Sequence, residues 1–414
     1  MRFSTAKLKK LRLWWPALII LALFLYDRSL KPEPDAFPNL EHYIKRILWL
    51  SCITFSLIFL MVRWRKIKYL GTFTIYISMV LILLCAVEGS FMTMAFSSVL
   101  YPERSGPVSA EEAVPTGQPV FEARTDPTLY HEYDFDYGFR NLKNDTVQVR
   151  ITVNGEEQPK AYYVLDGFRR RINRKDSLEM GQYFAIFLGC SITFGQHVQE
   201  DKTLPAQFQM RNPGVKSYNY GISASGPHQY LAILRHSNLR EQIAEKSGRV
   251  FYTYFDGHTA RAIGDYYSNQ WNEFTPYYFL SGDSLFRDGN FSSGRPFRSS
   301  LFHFLRKSYF VQAIHFNYPR ELRKEDFELT GVIIQAMKGE IQKQLGDVRF
   351  TVLLLPESGE GIKAELKKRG IEYIDYNLIK EHSGEDNLVF PIDNHPRAKL
   401  YGILADSLTK DAGF

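Results

Sequence analysis

The stretch Phe184-Ala185-Ile186-Phe187-Leu188-Gly189-Cys190-Ser191-Ile192-Thr193-Phe194-Gly195 decides the fold. It opens with an unbroken aromatic and aliphatic run of strand length, stopped by Gly189, with Ser191 two positions further on. A run that is apolar at every position is covered on both faces, as a parallel strand under helices is. Open α/β sheets bind ligands beyond the carboxyl ends of such strands, and a serine in the helical turn that follows sits near N–H groups able to meet an oxyanion. Ser191 is the candidate nucleophile. Gly-x-Ser-x-x-x-Gly alone also describes many strand ends that carry no chemistry. What turns the reading toward catalysis is Pro391-Ile392-Asp393-Asn394-His395-Pro396. A histidine with a carboxylate two positions before it, just ahead of a helical tail, supplies the general base and the orienting acid that a serine lacks.

Outward from these two stretches, 414 residues with 45% hydrophobic and 15% aromatic content are enough for a core and for more than one domain. The formal charge of +6 does not point to nucleic acid, because the basic residues gather at the edges of apolar segments near the N-terminus. Of the three cysteines, Cys52 and Cys85 fall in apolar spans and Cys190 flanks Ser191, so no disulfide framework is expected. Beside the better-placed serine, Cys190 reads as a small buried residue.

Three apolar spans come first, Leu13 to Tyr26, Ile47 to Val62 and Tyr69 to about Phe96, and all three are read as retained transmembrane helices. A cleaved signal peptide is the rival for the first, but no small-x-small site follows Tyr26. Lys and Arg crowd the N-terminal tail and the loop Arg63-Trp64-Arg65-Lys66-Ile67-Lys68, which puts both in the cytoplasm and everything after the third span outside it. Glu88, inside the third run, is expected near the outer interface.

The chain is divided into a membrane anchor (1–97), a Pro, Glu, Gly, Ser and Thr-rich linker (98–134) and a domain from 135 to 414. That domain begins with a β-rich stretch (135–181), with strands at Val147–Val153 and Tyr162–Leu165 around an Asn154-Gly155 turn. Strands are then expected at Tyr183–Leu188, Val215–Tyr220, Val250–Phe255, Arg349–Leu355 and Ile371–Ile374, and helices at His228–Lys246, Glu321–Leu345, Gly361–Lys368 and Arg397–Lys410. Strands alternating with amphipathic helices make a parallel sheet with helices on both faces. The aromatic-rich insertion 263–318 interrupts the pattern, either as a lid that lines the substrate or as a satellite core of its own. No histidine, cysteine or carboxylate spacing forms a metal site, and no cofactor is expected.

In order, Gly189-Cys190-Ser191, Tyr218-Asn219-Tyr220-Gly221-Ile222-Ser223-Ala224-Ser225-Gly226, Asp256-Gly257-His258 and Asp393-Asn394-His395 resemble the four blocks of the SGNH/GDSL hydrolases, over roughly residue 182 to the C-terminus. The resemblance implies a flavodoxin-like α/β/α sandwich and an acyl-serine mechanism in which Ser191 attacks, His395 relays the proton and Asp393 holds the imidazole. It also implies oxyanion donors from the Ser191 backbone and from the second and third blocks. Those candidates are Gly221 and Ala224 in the second block, and His258 in the third, with Arg261 as a nearby anion contact or partner of Asp256. The chain departs from the family in having Gly-Cys-Ser for Gly-Asp-Ser, Ala224 where a glycine is usual, Asp256-Gly257-His258 for Asn-Asp, and a two-residue gap in place of three between acid and histidine.

The expected function is a serine esterase outside the cytoplasm, anchored in the membrane and hydrolysing acyl esters such as O-acetyl groups of a cell-envelope polysaccharide. Two alternatives use the same fold. One is an O-acyltransferase that hands the acyl group to a sugar hydroxyl and needs a protein partner to supply it; the other is a degenerate, membrane-tethered glycan-binding module.

Overall fold

The computed structural model describes residues 76, 79, 83, 86–90, 121–126, 130–153, 156–157, 161–173, 181–356, 358–376, 388–389 and 395–412. The first two apolar spans, most of the third, the linker up to residue 120, the Asn154-Gly155 turn and Asp393 lie outside the described residues. Among the described residues no helix is long and apolar enough to cross a membrane. The chain divides into two compact units, Met1–Thr116 with Phe304–Phe316, and Gly117–His303 with Asn317–Phe414.

The second unit is built on a five-stranded sheet. Its strands in chain order are β1 (Tyr183–Leu188), β2 (Val215–Asn219), β3 (Ser247–Tyr254), β4 (Arg349–Leu354) and β5 (Glu372–Asp375). All neighbours pair in parallel, and the spatial order is β5-β4-β3-β1-β2. That is the 2-1-3-4-5 winding of flavodoxin-like folds, in which the order reverses between β1 and β3 and opens a crevice at their carboxyl ends. Ser191 follows β1, so the switch point falls at the candidate nucleophile.

The apolar run of β1 is shared between two cores. Phe184, Ile186 and Leu188 point to one face and pack with Leu231, Ile334, Met337 and Ile341, from the helices Pro227–His236 and Lys324–Leu345. Ala185 and Phe187 point to the other, against Phe208 of Leu204–Arg211 and Tyr401, Leu404 and Leu408 of Ala398–Ala412. Alternation along a strand covered on both sides requires this split, and each fully buried large side chain contributes about 1.5–3 kcal/mol.

Most element ends shift slightly from the sequence expectation, and two regions differ substantially. The helix expected over His228–Lys246 ends at His236, because Ser237 is extended, and a short helix Leu239–Gln242 restarts with the Asn238 side chain accepting from Arg240 N–H. Phe121–Asp126, assigned to the linker, is a strand paired antiparallel with Gln148–Val153. It belongs with Asp145–Val153, Glu156–Glu157 and Ala161–Leu165 to an antiparallel sheet. Bridges through Arg171, to Leu165 on one side and Asn219 of β2 on the other, connect that sheet to the central one.

The insertion contains a hairpin, Pro276–Ser281 with Ser284–Asn290, and the helix Pro296–Arg306. It buries Tyr266, Tyr278, Phe291 and Phe302, with Tyr278 in the same core as Phe184 and Ile186, while Tyr267 and Phe274 stay exposed.

Candidate active site

Gly189 closes β1 with a φ of +150°, and a Cβ there would stand 2.0 Å from Thr253 Oγ1 and 2.2 Å from Thr193 Oγ1. Only glycine lets the chain pass from the strand into the turn so close to β3. The Tyr230 hydroxyl, 2.6 Å from both the Gly189 and Tyr220 carbonyls, fixes that exit against the second block. Ser191 then opens a single helical turn, Ser191–Phe194, with 8% of its surface exposed. Among the described residues its hydroxyl has no hydrogen-bond partner, so it is not committed to holding the fold.

His395 reaches this turn from the far end of the chain. The Arg397 N–H donates to the Leu388 carbonyl at 2.8 Å, Val389 bridges Pro396, and the Tyr401 hydroxyl donates to the Ile192 carbonyl at 2.8 Å. These contacts bring the approach to the C-terminal helix over the nucleophile turn. The His395 ring stands edge-on to His197, centroids 5.3 Å apart, and the buried His197 lies in the loop just after the Ser191 turn. His395 therefore lies against the loop that follows the Ser191 turn. Asp393 lies outside the described residues.

In the second block, Gly221 packs where a Cβ would meet Phe194 N at 2.2 Å, and the Asn141 amide donates to its carbonyl at 2.9 Å. Gly221 is thus a close-approach residue beside the nucleophile turn. Ala224 adopts a left-handed φ of 63°. A side chain held there costs roughly 1–2 kcal/mol, and strain of this kind gathers at functional turns. Among the described residues the Ala224 N–H makes no hydrogen bond, which leaves it available to an oxyanion.

The third block is placed differently from the expectation. His258 is wholly buried among Tyr252, Tyr254 and Phe255, and its Nδ1 is 2.9 Å from the Tyr252 hydroxyl. Burial first, then the charge of Arg261 and the nearby His228, push its pKa well below the usual histidine range, so it is a neutral core residue with no face toward a substrate. Arg261 is not the partner of Asp256. Its guanidinium donates to the Ser225 carbonyl at 2.8 Å and lies over Phe255, while Asp256 accepts from Gly359 N–H at 3.1 Å and from the Tyr254 hydroxyl at 3.1 Å. Asp256 anchors the loop after β4, and Arg261 anchors the second block.

Several residues around the site carry no motif and were not singled out in the sequence. Tyr130 stacks on Phe194 and places its hydroxyl 2.9 Å from Ser223 Oγ, at the rim of the second block. Arg171, 1% exposed, donates to the carbonyls of Phe194, Gly195 and Val198 at 2.9, 2.5 and 2.7 Å. Among the described residues no group of three or more His, Cys, Asp and Glu side chains is arranged to hold a metal.

Three histidines held below their ordinary pKa set an acid limit. Burial lowers His131 to about 4 and His228 to about 3 from an ordinary 6.5, and it drives His258 down as well. A base whose folded pKa is depressed contributes stability that is complete above the unfolded value and lost as pH falls through the folded one. Each therefore costs roughly 1.4 kcal/mol per pH unit below 6.5 until its folded pKa is reached. Asp256 and Asp265, raised by burial, offset part of this from the carboxylate range upward. The unfolding midpoint should fall steadily between about pH 6.5 and 4, and a midpoint that stays flat across that window would contradict the burial of these rings.

No protein-family model matches the chain, and no curated protein matches it. Solved structures to which it is similar include a lipolytic protein of the G-D-S-L family from Veillonella parvula DSM 2008, at 13% identity over 55% of this chain and 97% of that one, TM-score 0.33. An acetyl xylan esterase from the rumen bacterium Butyrivibrio proteoclasticus aligns at 10% identity over 72% and 89%, TM-score 0.32. A carbohydrate esterase family 2 enzyme with a carbohydrate binding domain from Corynascus thermopiles aligns at 13% identity over 63% and 69%, TM-score 0.32.

Proposed function

We propose that the chain is a serine esterase of SGNH/GDSL type, anchored in the membrane by its apolar N-terminal spans and acting outside the cytoplasm on acyl esters, with O-acetyl groups of an envelope glycan as the substrate class. The observation that carries this reading is the His395 ring edge-on to His197, in the loop that follows the Ser191 turn at the carboxyl end of β1.

In the first step the Ser191 hydroxyl attacks the ester carbonyl, and His395 takes its proton and delivers it to the departing alcohol. The tetrahedral oxyanion is met by the backbone N–H groups of Ser191 and Ala224, each contributing about 2.7–4 kcal/mol of barrier lowering by the measure of a lost oxyanion donor. Water, deprotonated by His395, then releases the acid from acyl-Ser191. The Asp393 carboxylate is the group that orients the imidazole.

The full chain in membranes, incubated with O-acetylated envelope polymer, is expected to release acetate in a time-dependent manner. A chain that takes up a fluorophosphonate on Ser191 yet releases acetate only when a sugar acceptor is added is a transferase. A folded chain that takes up no fluorophosphonate is a binding module, and the esterase reading fails.

A further inference from the structure

The turn at residues 222–225, which carries the Ala224 N–H, is held differently at its two ends. After Ala224 the backbone is pinned: the Ser225 N–H donates to the Ile222 carbonyl at 3.2 Å, and the Ser225 carbonyl accepts from the Arg261 guanidinium at 2.8 Å. Before Ala224 the hold comes through a side chain. Ser223 is buried, and among the described residues its hydroxyl has one partner, the Tyr130 hydroxyl at 2.9 Å. Ala224 itself sits at a φ of 63°, a left-handed conformation that persists in an L-residue only where its neighbours enforce it.

Tyr130 is itself fixed on two sides. Its ring stacks on Phe194, centroids 5.4 Å apart and planes at 19°, and stands edge-on to Tyr163 at 5.4 Å. The phenol therefore cannot swing away without opening the packing over the nucleophile turn. Its carbonyl accepts from the Leu142 N–H at 3.1 Å, at the base of the hairpin His131–Asp134 with Gly138–Asn141. The same hairpin sends the Asn141 amide to the Gly221 carbonyl at 2.9 Å, so the second block is gripped at both 221 and 223. The Tyr130 hydroxyl also lies 3.3 Å from Gln196 Oε1, in the loop after the Ser191 turn. One hydroxyl proton serves one acceptor at a time, so when Tyr130 donates to Gln196 it accepts from Ser223. A chain of hydrogen bonds then runs from the nucleophile loop to the turn at Ala224.

We propose that Tyr130 is a positioning residue for the oxyanion donor. Through Ser223 it holds the Ala224 N–H toward the carbonyl that Ser191 attacks, and its stack on Phe194 keeps that N–H in register with the nucleophile turn. Tyr130 falls in the stretch that the sequence alone reads as linker, so a residue ahead of the central sheet completes the site. This rests on the esterase reading of Ser191. Losing an oxyanion donor outright costs about 10²–10³ in kcat, and loosening one costs a part of that.

The test compares aryl acetate hydrolysis by the full chain in membranes with that of Tyr130→Phe, Ser223→Ala and the double variant. Tyr130→Phe keeps the ring on Phe194 and removes only the hydroxyl, so its unfolding midpoint should stay near that of the parent. Each single variant is expected to lose about tenfold in kcat with KM within about twofold, because the donor acts on the transition state. The double variant should lose no more than either single one, as the two halves of one contact do. Phenylboronic acid, whose tetrahedral adduct on a serine oxygen mimics the oxyanion, should bind each variant about tenfold more weakly. Parent-like kcat or parent-like boronate affinity in Tyr130→Phe, or losses that multiply in the double variant, overturn the positioning role and leave the esterase standing. A parent chain that neither hydrolyses the ester nor takes up a fluorophosphonate overturns the esterase reading and this proposal with it.

Discussion

Ser191→Ala is expected to lower hydrolysis of a small aryl acetate by about 10⁴-fold or more and to abolish fluorophosphonate labelling, with the unfolding midpoint nearly unchanged. The fold should survive because the Ser191 hydroxyl has no hydrogen-bond partner among the described residues, so its removal leaves no donor or acceptor stranded. His395→Ala should lose a comparable factor, and the double variant should lose little more than either single one, because nucleophile and base act as a unit. His197 is the control. It lies beside His395 and is the other imidazole near the nucleophile turn, so full activity in His395→Ala with loss in His197→Ala would move the base to position 197. Retained activity in Ser191→Ala would move the nucleophile elsewhere, and the adjacent Cys190, wholly buried, is poorly placed to take it.

The strand ending at Gly189 was legible in the sequence because both its faces are covered, and such a strand has no alternation to obscure. The same burial made β3 and β4 readable, and with the turn after β1 it placed Ser191 at the carboxyl edge of a parallel sheet. The third block was misread for a physical reason. Asp256-Gly257-His258 offers a ring that can donate, but whether a ring faces a cleft or a core depends on what packs over it. Here Tyr252 and Tyr254 from the preceding strand enclose His258. Arg261 and Asp256, close in sequence and opposite in charge, looked like a pair. The helix Gly257–Ile263 that begins between them sends one to Ser225 and the other to Gly359. Tyr130 and Arg171 were invisible for a different reason, since each acts on the site across a sheet boundary that no local pattern encodes.

Arg171→Met should destabilise the protein by about 3–5 kcal/mol and reduce esterase activity with it. Among the described residues Arg171 forms no ion pair, although the Glu200 charge acts on it; its charge is met by carbonyl dipoles of the loop after the nucleophile and by the faces of Tyr163 and Phe194, 4.4 and 5.1 Å from the guanidinium carbon. Burial lowers its pKa, yet guanidinium stays protonated because its ordinary value is so high. Methionine fills a similar volume but supplies no donor: the Val198 carbonyl loses its bond, and those of Phe194 and Gly195 keep only the longer ones, 3.3 Å each, from the Asn219 amide and the Val198 N–H. Each lost bond to a buried acceptor costs about 1–3 kcal/mol, which partial relaxation keeps from adding in full. Lysine keeps the charge but offers one point of donation where three carbonyls along the loop must be reached, so Arg171→Lys should recover only part of the loss. The activity loss follows from Gly195, whose N–H closes the turn on the Ser191 carbonyl. Once its own carbonyl is released from Arg171, the turn that carries Ser191 is held less firmly. Calorimetry and aryl acetate turnover on the same preparations check both parts, and an Arg171→Met chain as stable and as active as the parent would show that the nucleophile loop holds its shape without the buried cation.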